Sequence, residues 1–295
     1  GQYLTRDKMP ANLHEMLVAV AEKTDFANKW EKYRSVPHQT GNILNGIGLS
    51  CTFRGAGLGG EGLDTGAAVL TLDRDGFLNM QSSSTELGQG IRTTHAQIAG
   101  EVLGITMDKI TFSATDTSIT LDAGPTVASR GILAGGNAVK IAAEKLKKRL
   151  SGVAAELLNC GEDDLEFADN TVWDAAAVSD AEQHSLSITE LAGECHRNRG
   201  IPLTAQGWFT PKPEHLDHHT GRGNAYPSYL FGVAVSEVLV DTGTGKITVK
   251  KITAAYELGR AINPEIVRGQ LIGGLMQGLG YAIMEELDTR DGMLR

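Results

Sequence analysis

One order of elements is written twice along this chain: a strand pair broken by a tight turn, a glycine loop, and a helix-period run with glutamine near its start. In the first copy, residues 67–72 and 77–81 flank Asp73-Arg74-Asp75-Gly76, a strong hairpin signal. Glu86-Leu87-Gly88-Gln89-Gly90 follows, and then an amphipathic run over 91–103. In the second copy, strands over 231–241 and 246–255 enclose Asp241-Thr242-Gly243-Thr244-Gly245. Glu257-Leu258-Gly259, Asn263-Pro264 and Gly269-Gln270 come next, ahead of a helical run over 271–287. Hairpins with intervening helices predict an α+β fold of two similar lobes, each with hairpin strands and a helix following a Gly/Gln loop. A helix start offers unpaired backbone N–H groups and the positive end of a dipole, which suits an anion. Glutamine adds a donor and an acceptor without charge. Two such starts suit a clasp around a polar, phosphorylated ligand.

The rest of the chain divides around these copies. Residues 11–34 read as helical, with Leu13, Met16, Leu17, Val20 and Ala21 on one apolar face and Pro37 beyond the end. A strand is expected over 109–114, a polar loop over 115–130 and a third helix over about 133–158. A small hairpin is expected from 164–167 and 171–174, a short helix over 187–191, and a loop-rich stretch over 206–228. The expected domains are a helical lead-in (1–45), a first lobe (46–160), a connecting segment (161–228) and a second, shortened lobe (229–295).

Composition narrows the function. A net charge of −9 argues against a nucleic-acid surface, which needs clustered basic residues. The three cysteines, Cys51, Cys160 and Cys195, are too dispersed for a zinc or iron–sulfur site and fit a reducing, cytoplasmic setting. No signal peptide is recognisable, and the most apolar stretch, 266–284, is interrupted by Arg268, Gln270 and Gln277. The 36 glycines, well above average usage, gather before helices and inside the last one, which points to close backbone approach. The chain starts at Gly1 and stops at Arg295 just after a turn-like Asp291-Gly292, as a fragment or one subunit of something larger would.

Each candidate for chemistry has a plainer reading. Gly55-Ala56-Gly57-Leu58-Gly59-Gly60-Glu61-Gly62 lacks the Gly-Lys-Ser/Thr ending of a P-loop and precedes a hairpin, so it reads as a flexible turn. His215, Asp217, His218 and His219 are dense enough for a metal but lie in a loop without fixed spacing, so a solvated loop is expected. Gly273, Gly274, Gly278 and Gly280 in the last helix call for compensation of roughly 1 kcal/mol each, and tight packing on a sheet is the ordinary source. Thr126 and Ser129, in Asp122-Ala123-Gly124-Pro125-Thr126-Val127-Ala128-Ser129-Arg130-Gly131, read as helix caps when taken alone.

Taken together, these pieces resemble the molybdenum hydroxylases, the xanthine dehydrogenase and aldehyde oxidase family. The matching residues are Glu86-Leu87-Gly88-Gln89-Gly90, Gly124-Pro125-Thr126-Val127-Ala128-Ser129, Ser236-Glu237-Val238, Asn263-Pro264, Gly269-Gln270 and Gln277-Gly278, in the family's order over about 46–290. The resemblance implies a molybdopterin-binding unit. It makes Gly88, Gln89, Gly90, Thr126, Ala128, Ser129 and Gln270 cofactor contacts, with Gln89 and Ala128 nearest the molybdenum and no metal ligand supplied by a side chain. The implied cofactor is molybdenum–molybdopterin, bare or as a dinucleotide, with 2Fe-2S and FAD on partner domains or subunits. The implied reaction hydroxylates an aldehyde or N-heterocycle, purine- or nicotinate-like, with oxygen from water.

Two departures stand out. The family's catalytic base is a glutamate in a Gly-Glu motif beyond the second glutamine helix, which this sequence does not reach; Glu285 and Glu286 do not match it, so no catalytic residue is assigned. The family's earlier half has no counterpart here either. The implied partners are therefore the remaining molybdenum-domain segments together with iron–sulfur and flavin subunits, and activity of the chain alone is not expected. The alternatives are a structural or assembly subunit without its own cofactor and, remotely, a metal hydrolase built on the histidine loop.

Overall fold

The computed structural model describes residues 13–35, 41–177, 184–211, 216–217 and 219–294. Helices α1 (Leu13–Thr24) and α2 (Phe26–Ser35) precede the long strand β1 (Ile43–Ala56). The hairpin β2 (Gly66–Leu72) and β3 (Leu78–Ser82) is followed by α3 (Ile91–Leu103) and β4 (Ile110–Phe112). A π-helical turn, Gly131–Gly136, opens into α4 (Asn137–Leu158). Strands β5 (Leu165–Ala168), β6 (Thr171–Asp174) and β7 (Ser185–Ser187) lead to α5 (Ile188–Arg197) and then β8 (Thr204–Phe209). After the two-residue strands β9 (Leu216–Asp217) and β10 (Arg222–Gly223) come the long strands β11 (Ser228–Asp241) and β12 (Ile247–Glu257). Helix α6 (Pro264–Ile283) and the pair β13 (Thr289–Arg290) and β14 (Met293–Leu294) complete the chain. Helices beside mostly antiparallel sheets make this an α+β fold.

Two compact units result, one from Gly1–Gly55 with Ser228–Arg295 and the other from Ala56–Pro227. In the first, the sheet runs β1-β11-β12, with β11 and β12 antiparallel and a bulge between Glu237 and Val238. Most of β1, whose residues from 46 onward fall within the 46–160 span given to the first lobe, belongs to the unit that includes β11 and β12. Helix α1 packs there through Val20 on Val233 and Val235, with Leu13, Met16 and Leu17 alongside. The single helix expected over 11–34 is two helices. Asp25 adopts a left-handed φ of 52° and ends α1, which lets Lys29 of α2 reach Glu237 at 2.8 Å.

In the second unit the sheet order is β4-β3-β2-β8, antiparallel except for the β3–β4 pair. Strand β8 falls in a stretch expected to be loop-rich. Its alternation is there, with Ala205 and Gly207 buried and Gln206 and Trp208 outward, but small inward residues hide it from a hydrophobicity pattern. Those small residues serve α4: a Cβ on Gly207 would fall 1.8 Å from the Ala138 carbonyl oxygen, and one on Gly66 2.1 Å from that of Ala134. The helix therefore lies close enough for Ala138, Ala142, Leu146 and Leu150 to bury fully with Leu70, Leu72 and Met80. Each large apolar side chain buried this way stabilises the unit by about 1.5–3 kcal/mol before entropy. The small sheet β5-β6-β7 adjoins α5, which starts with the reciprocal Ser187–Glu190 capping box.

Candidate functional site

The segment after β3 carries the first motif. The Glu86 carboxylate turns back and accepts the N–H groups of Gly88 (2.8 Å), Gly90 (3.0 Å) and Arg92 (3.1 Å). The chain's own carboxylate thus takes two of the N–H groups at the start of α3, those of Gly90 and Arg92. Burial works against the charge on Glu86, but the three N–H donors outweigh it and hold the carboxyl below its usual range. Gly88 and Gly90 sit at φ of 99° and 78°, shaping the turn around that carboxylate.

Gln89 folds over the same turn. Its Oε1 accepts the Leu87 N–H, and its Nε2 donates to the Thr85 carbonyl at 2.8 Å. The Thr85 N–H donates in turn to Thr126 Oγ1 at 2.8 Å. Two motifs about forty residues apart in sequence are therefore tied through a single residue. Thr126 does not cap a helix, and neither does Ser129, because the π-helical turn has Arg130 at its N-cap position without a side-chain cap bond. Ala128 and Ser129 instead hold consecutive left-handed conformations, φ 54° and 58°, with Ser129 exposed. Beside them lies a small cleft lined by Thr65, Ser83, Ser84, Thr126, Arg130 and Gly131, among others. Its hydroxyls and backbone groups are neutral. The one charged side chain, Arg130, has its positive charge faced by buried Asp64, Nη1 to Oδ1 3.6 Å.

His95, on α3 behind this cleft, is fully buried, and its Nε2 lies 3.1 Å from the Gly131 carbonyl. Burial lowers its pKa to about 4, so the neutral ring donates through Nε2 and leaves Nδ1 without a hydrogen-bond partner. A Cβ on Gly135 would fall 2.9 Å from His95 Cε1 and 2.4 Å from Ser84 Oγ, so the glycine makes room for both. Ser84, Asp64 and His95 were not candidates from sequence. A serine, an aspartate and a histidine with no motif around them carry no signal until the fold places them.

Gln270 belongs to the other unit. It was expected at a helix start but sits exposed in the second turn of α6, whose N-cap is Asn263, with Oδ1 accepting the Ile266 N–H at 2.9 Å and Pro264 following. Among the described residues tight packing of α6 is not found: no residue of the helix is buried, and a Cβ on Gly269, Gly273, Gly274 or Gly278 would meet nothing within 4 Å. The repeated Glu-Leu-Gly does recur in geometry, because Glu257 Oε1 accepts the Gly259 N–H at 3.1 Å as Glu86 accepts that of Gly88.

His215 and His218 lie outside the described residues. Asp217 accepts N–H groups from His219 (2.9 Å) and Thr220 (3.3 Å), the pattern of a turn. Among the described residues no group of three His, Cys, Asp or Glu is placed to hold a metal ion. No described helix is long and apolar enough to cross a membrane.

The model of the molybdopterin cofactor-binding domain family matches residues 19–295. The chain belongs to that family. It is 28% identical over 275 residues to the xanthine dehydrogenase molybdenum-binding subunit of Escherichia coli O157:H7, covering 90% of this chain and 34% of that protein. The aldehyde oxidoreductase of Desulfovibrio desulfuricans ATCC 27774 superposes with TM-score 0.67 at 29% identity, over 91% of this chain and 26% of that one. CO dehydrogenase from Oligotropha carboxidovorans superposes with TM-score 0.79 at 22% identity, over 96% of this chain and 35% of that one, a likeness of fold. The chain thus spans about a third of the length of the E. coli relative.

Proposed function

We propose that this chain is the molybdopterin-binding part of an oxidoreductase that hydroxylates an aldehyde or an N-heterocycle, purine- or nicotinate-like, with oxygen from water. The observation that carries the reading is the linkage Gln89–Thr85–Thr126 beside a cleft of neutral hydroxyls. The residues fit the group: a pterin has a polar, largely uncharged edge that needs neutral donors and acceptors, and the carboxylates nearby are already engaged by the chain's own N–H groups. In this reading Gln89 would hydrogen-bond near the molybdenum centre, and Thr126 would contact the pterin or its phosphate. Ser129 would offer its hydroxyl to the pterin or its phosphate, and Ala128 would help to hold the metal end through its backbone. Gly88 and Gly90 leave room for close approach, and Gln270 is a further pterin contact on the strength of the resemblance alone. When bound, the molybdenum cofactor supplies the redox chemistry of the oxygen transfer. The pterin is bare or a dinucleotide, and 2Fe-2S and FAD belong to other domains or subunits.

The hairpin, glycine loop and helix of the two units form, in this proposal, two lobes of one plan. Helix α6 speaks for the partners. Ile272 and Met276 on it, and Met284 and Leu287 just beyond, are 50%, 57%, 82% and 76% exposed, and a Cβ on Gly269, Gly273, Gly274 or Gly278 would meet nothing among the described residues. The remaining segments of the molybdenum subunit are the proposed cover.

The test is Gln89→Ala in the complete enzyme, with molybdenum analysis and fluorescence of the oxidised pterin alongside turnover. Lower occupancy or lower turnover is expected. Wild-type occupancy together with a wild-type rate removes the assignment, and Gln270→Ala tests the other contact separately. Absence of molybdenum and pterin from the intact wild-type complex favours a structural or assembly subunit.

A further inference from the structure

Residues 122–131 hold two adjacent left-handed residues, Ala128 and Ser129, which a free loop of L-amino acids abandons. Something rigid has to hold them. The Arg130 side chain folds beneath its own loop, Nε donating to the Pro125 carbonyl at 2.9 Å and Nη2 to the Ala123 carbonyl at 2.7 Å. Its Nη1 faces Asp64 Oδ1 at 3.6 Å, and the two side chains are only 6% and 3% exposed. Asp64 is anchored in turn, both of its oxygens accepting the Leu58 N–H at 3.0 and 2.9 Å. The neighbouring Gly57 N–H donates to the Ala128 carbonyl at 2.7 Å, so the crest of the loop is pinned as well as its base.

Two glycines make this approach feasible. A Cβ on Gly57 would fall 2.2 Å from Asp64 Oδ2, and one on Gly124 2.9 Å from Arg130 Nη2; both sit at positive φ, 94° and 80°. The glycine-rich stretch 55–62 thereby gains a role as the back-plate of the 122–131 loop. Stability alone does not account for the charges, since a well-packed apolar pair of similar volume is generally at least as stabilising as a buried ion pair. What a guanidinium adds is a planar fork that fixes two carbonyls and a carboxylate at once.

We propose that Asp64 and Arg130 are positioning residues that hold Ala128 and Ser129 in the conformation the cofactor meets. The assignment rests on the molybdopterin reading for what the loop meets, but not for the clasp itself. The experiment uses the complete enzyme carrying Arg130→Lys, and separately the double variant Asp64→Leu with Arg130→Met. It follows amide exchange at 122–131, pterin content and melting temperature. Lysine keeps the charge but loses the fork; losing a buried hydrogen bond from a charged donor shifts a local opening equilibrium by about tenfold or more. Exchange at least about tenfold faster in the loop is expected in both variants, with several-fold lower pterin content. The double variant, freed of buried charge, is expected to keep a melting temperature close to wild type. Unchanged exchange in Arg130→Lys, or recovery of both wild-type exchange and wild-type pterin content in the double variant, overturns the proposal. A wild-type enzyme without pterin overturns the functional reading instead, and the exchange result still decides the clasp.

Discussion

His95 makes the stability of its unit depend on pH in a calculable way. The ring is fully buried and its pKa is lowered from 6.5 to about 4, by burial against the smaller opposing effects of the Gly131 carbonyl and the Glu86 charge. As pH falls, the unfolded imidazole takes a proton near 6.5 and the folded one only near 4. Between those values the unfolded state holds more protons, so stability declines with falling pH. The gap corresponds to about 3 kcal/mol, lost in full below pH 4, with about 2 kcal/mol of it gone between pH 7 and pH 5. Glu86 does not enter that window. Its lowered carboxyl pKa contributes stability that is present above the ordinary carboxylate range and lost only as pH falls through the lowered value. His95→Gln keeps a donor for the Gly131 carbonyl and removes the titration. Unfolding free energies at pH 7 and pH 5, followed through Trp173 and Trp208 in the same unit, are expected to fall by about 2 kcal/mol more in wild type than in the variant. Parallel losses in the two proteins, or an imidazole Cε1 resonance titrating near 6.5, refute the reasoning.

Other substitutions test the scaffold. Gly207→Ala drives a methyl against the Ala138 carbonyl and is expected to cost about 3 kcal/mol, read as a lower melting temperature; no change would mean that α4 can retreat from β8 freely. Leu146→Ala removes a fully buried side chain between α4 and the sheet, for a loss of about 2–5 kcal/mol in denaturant unfolding. Ser187→Ala breaks the capping box of α5 and is expected to cost about 1 kcal/mol, with faster amide exchange at Glu190 as its local sign. Glu86→Gln leaves three N–H groups facing a neutral acceptor, for about 1 kcal/mol and faster exchange in the first turn of α3.

Much of the architecture could be read from local pattern. The β2–β3 and β11–β12 hairpins, the helices after them, the β5–β6 hairpin and the start of α5 all follow from turn residues, period and caps, which act over a few residues. What escaped depends on partners distant in sequence. Strand β8 is recognisable only beside α4, whose approach dictates its small inward residues, and β1 carries no mark that its partner is β11, about 180 positions away. At the site, Gln89 and Thr126 stood out because their motifs are ordered as in a known family. Asp64 and His95 stood out in no way, because burial and neighbours give them their character.

The capping of α3 bears on how the proposed site would recognise a ligand. An open helix start binds anions on charge alone and accepts phosphate, sulfate and carboxylate alike. With the Glu86 carboxylate on the Gly90 and Arg92 N–H groups, an incoming carboxylate or phosphate meets a negative charge at that helix start. In the proposed reading the groups beside it, the Gln89 amide, the Thr126 hydroxyl and the cleft serines, would discriminate by hydrogen-bond pattern with the capacity that their bonds to Leu87 and Thr85 leave. In that reading the site would suit an extended heteroaromatic edge with alternating donors and acceptors better than a simple anion. It also means that the Glu-Leu-Gly preceding each glutamine-bearing helix is a device for shaping the turn, with its carboxylate spent on the glycine two residues on in both copies.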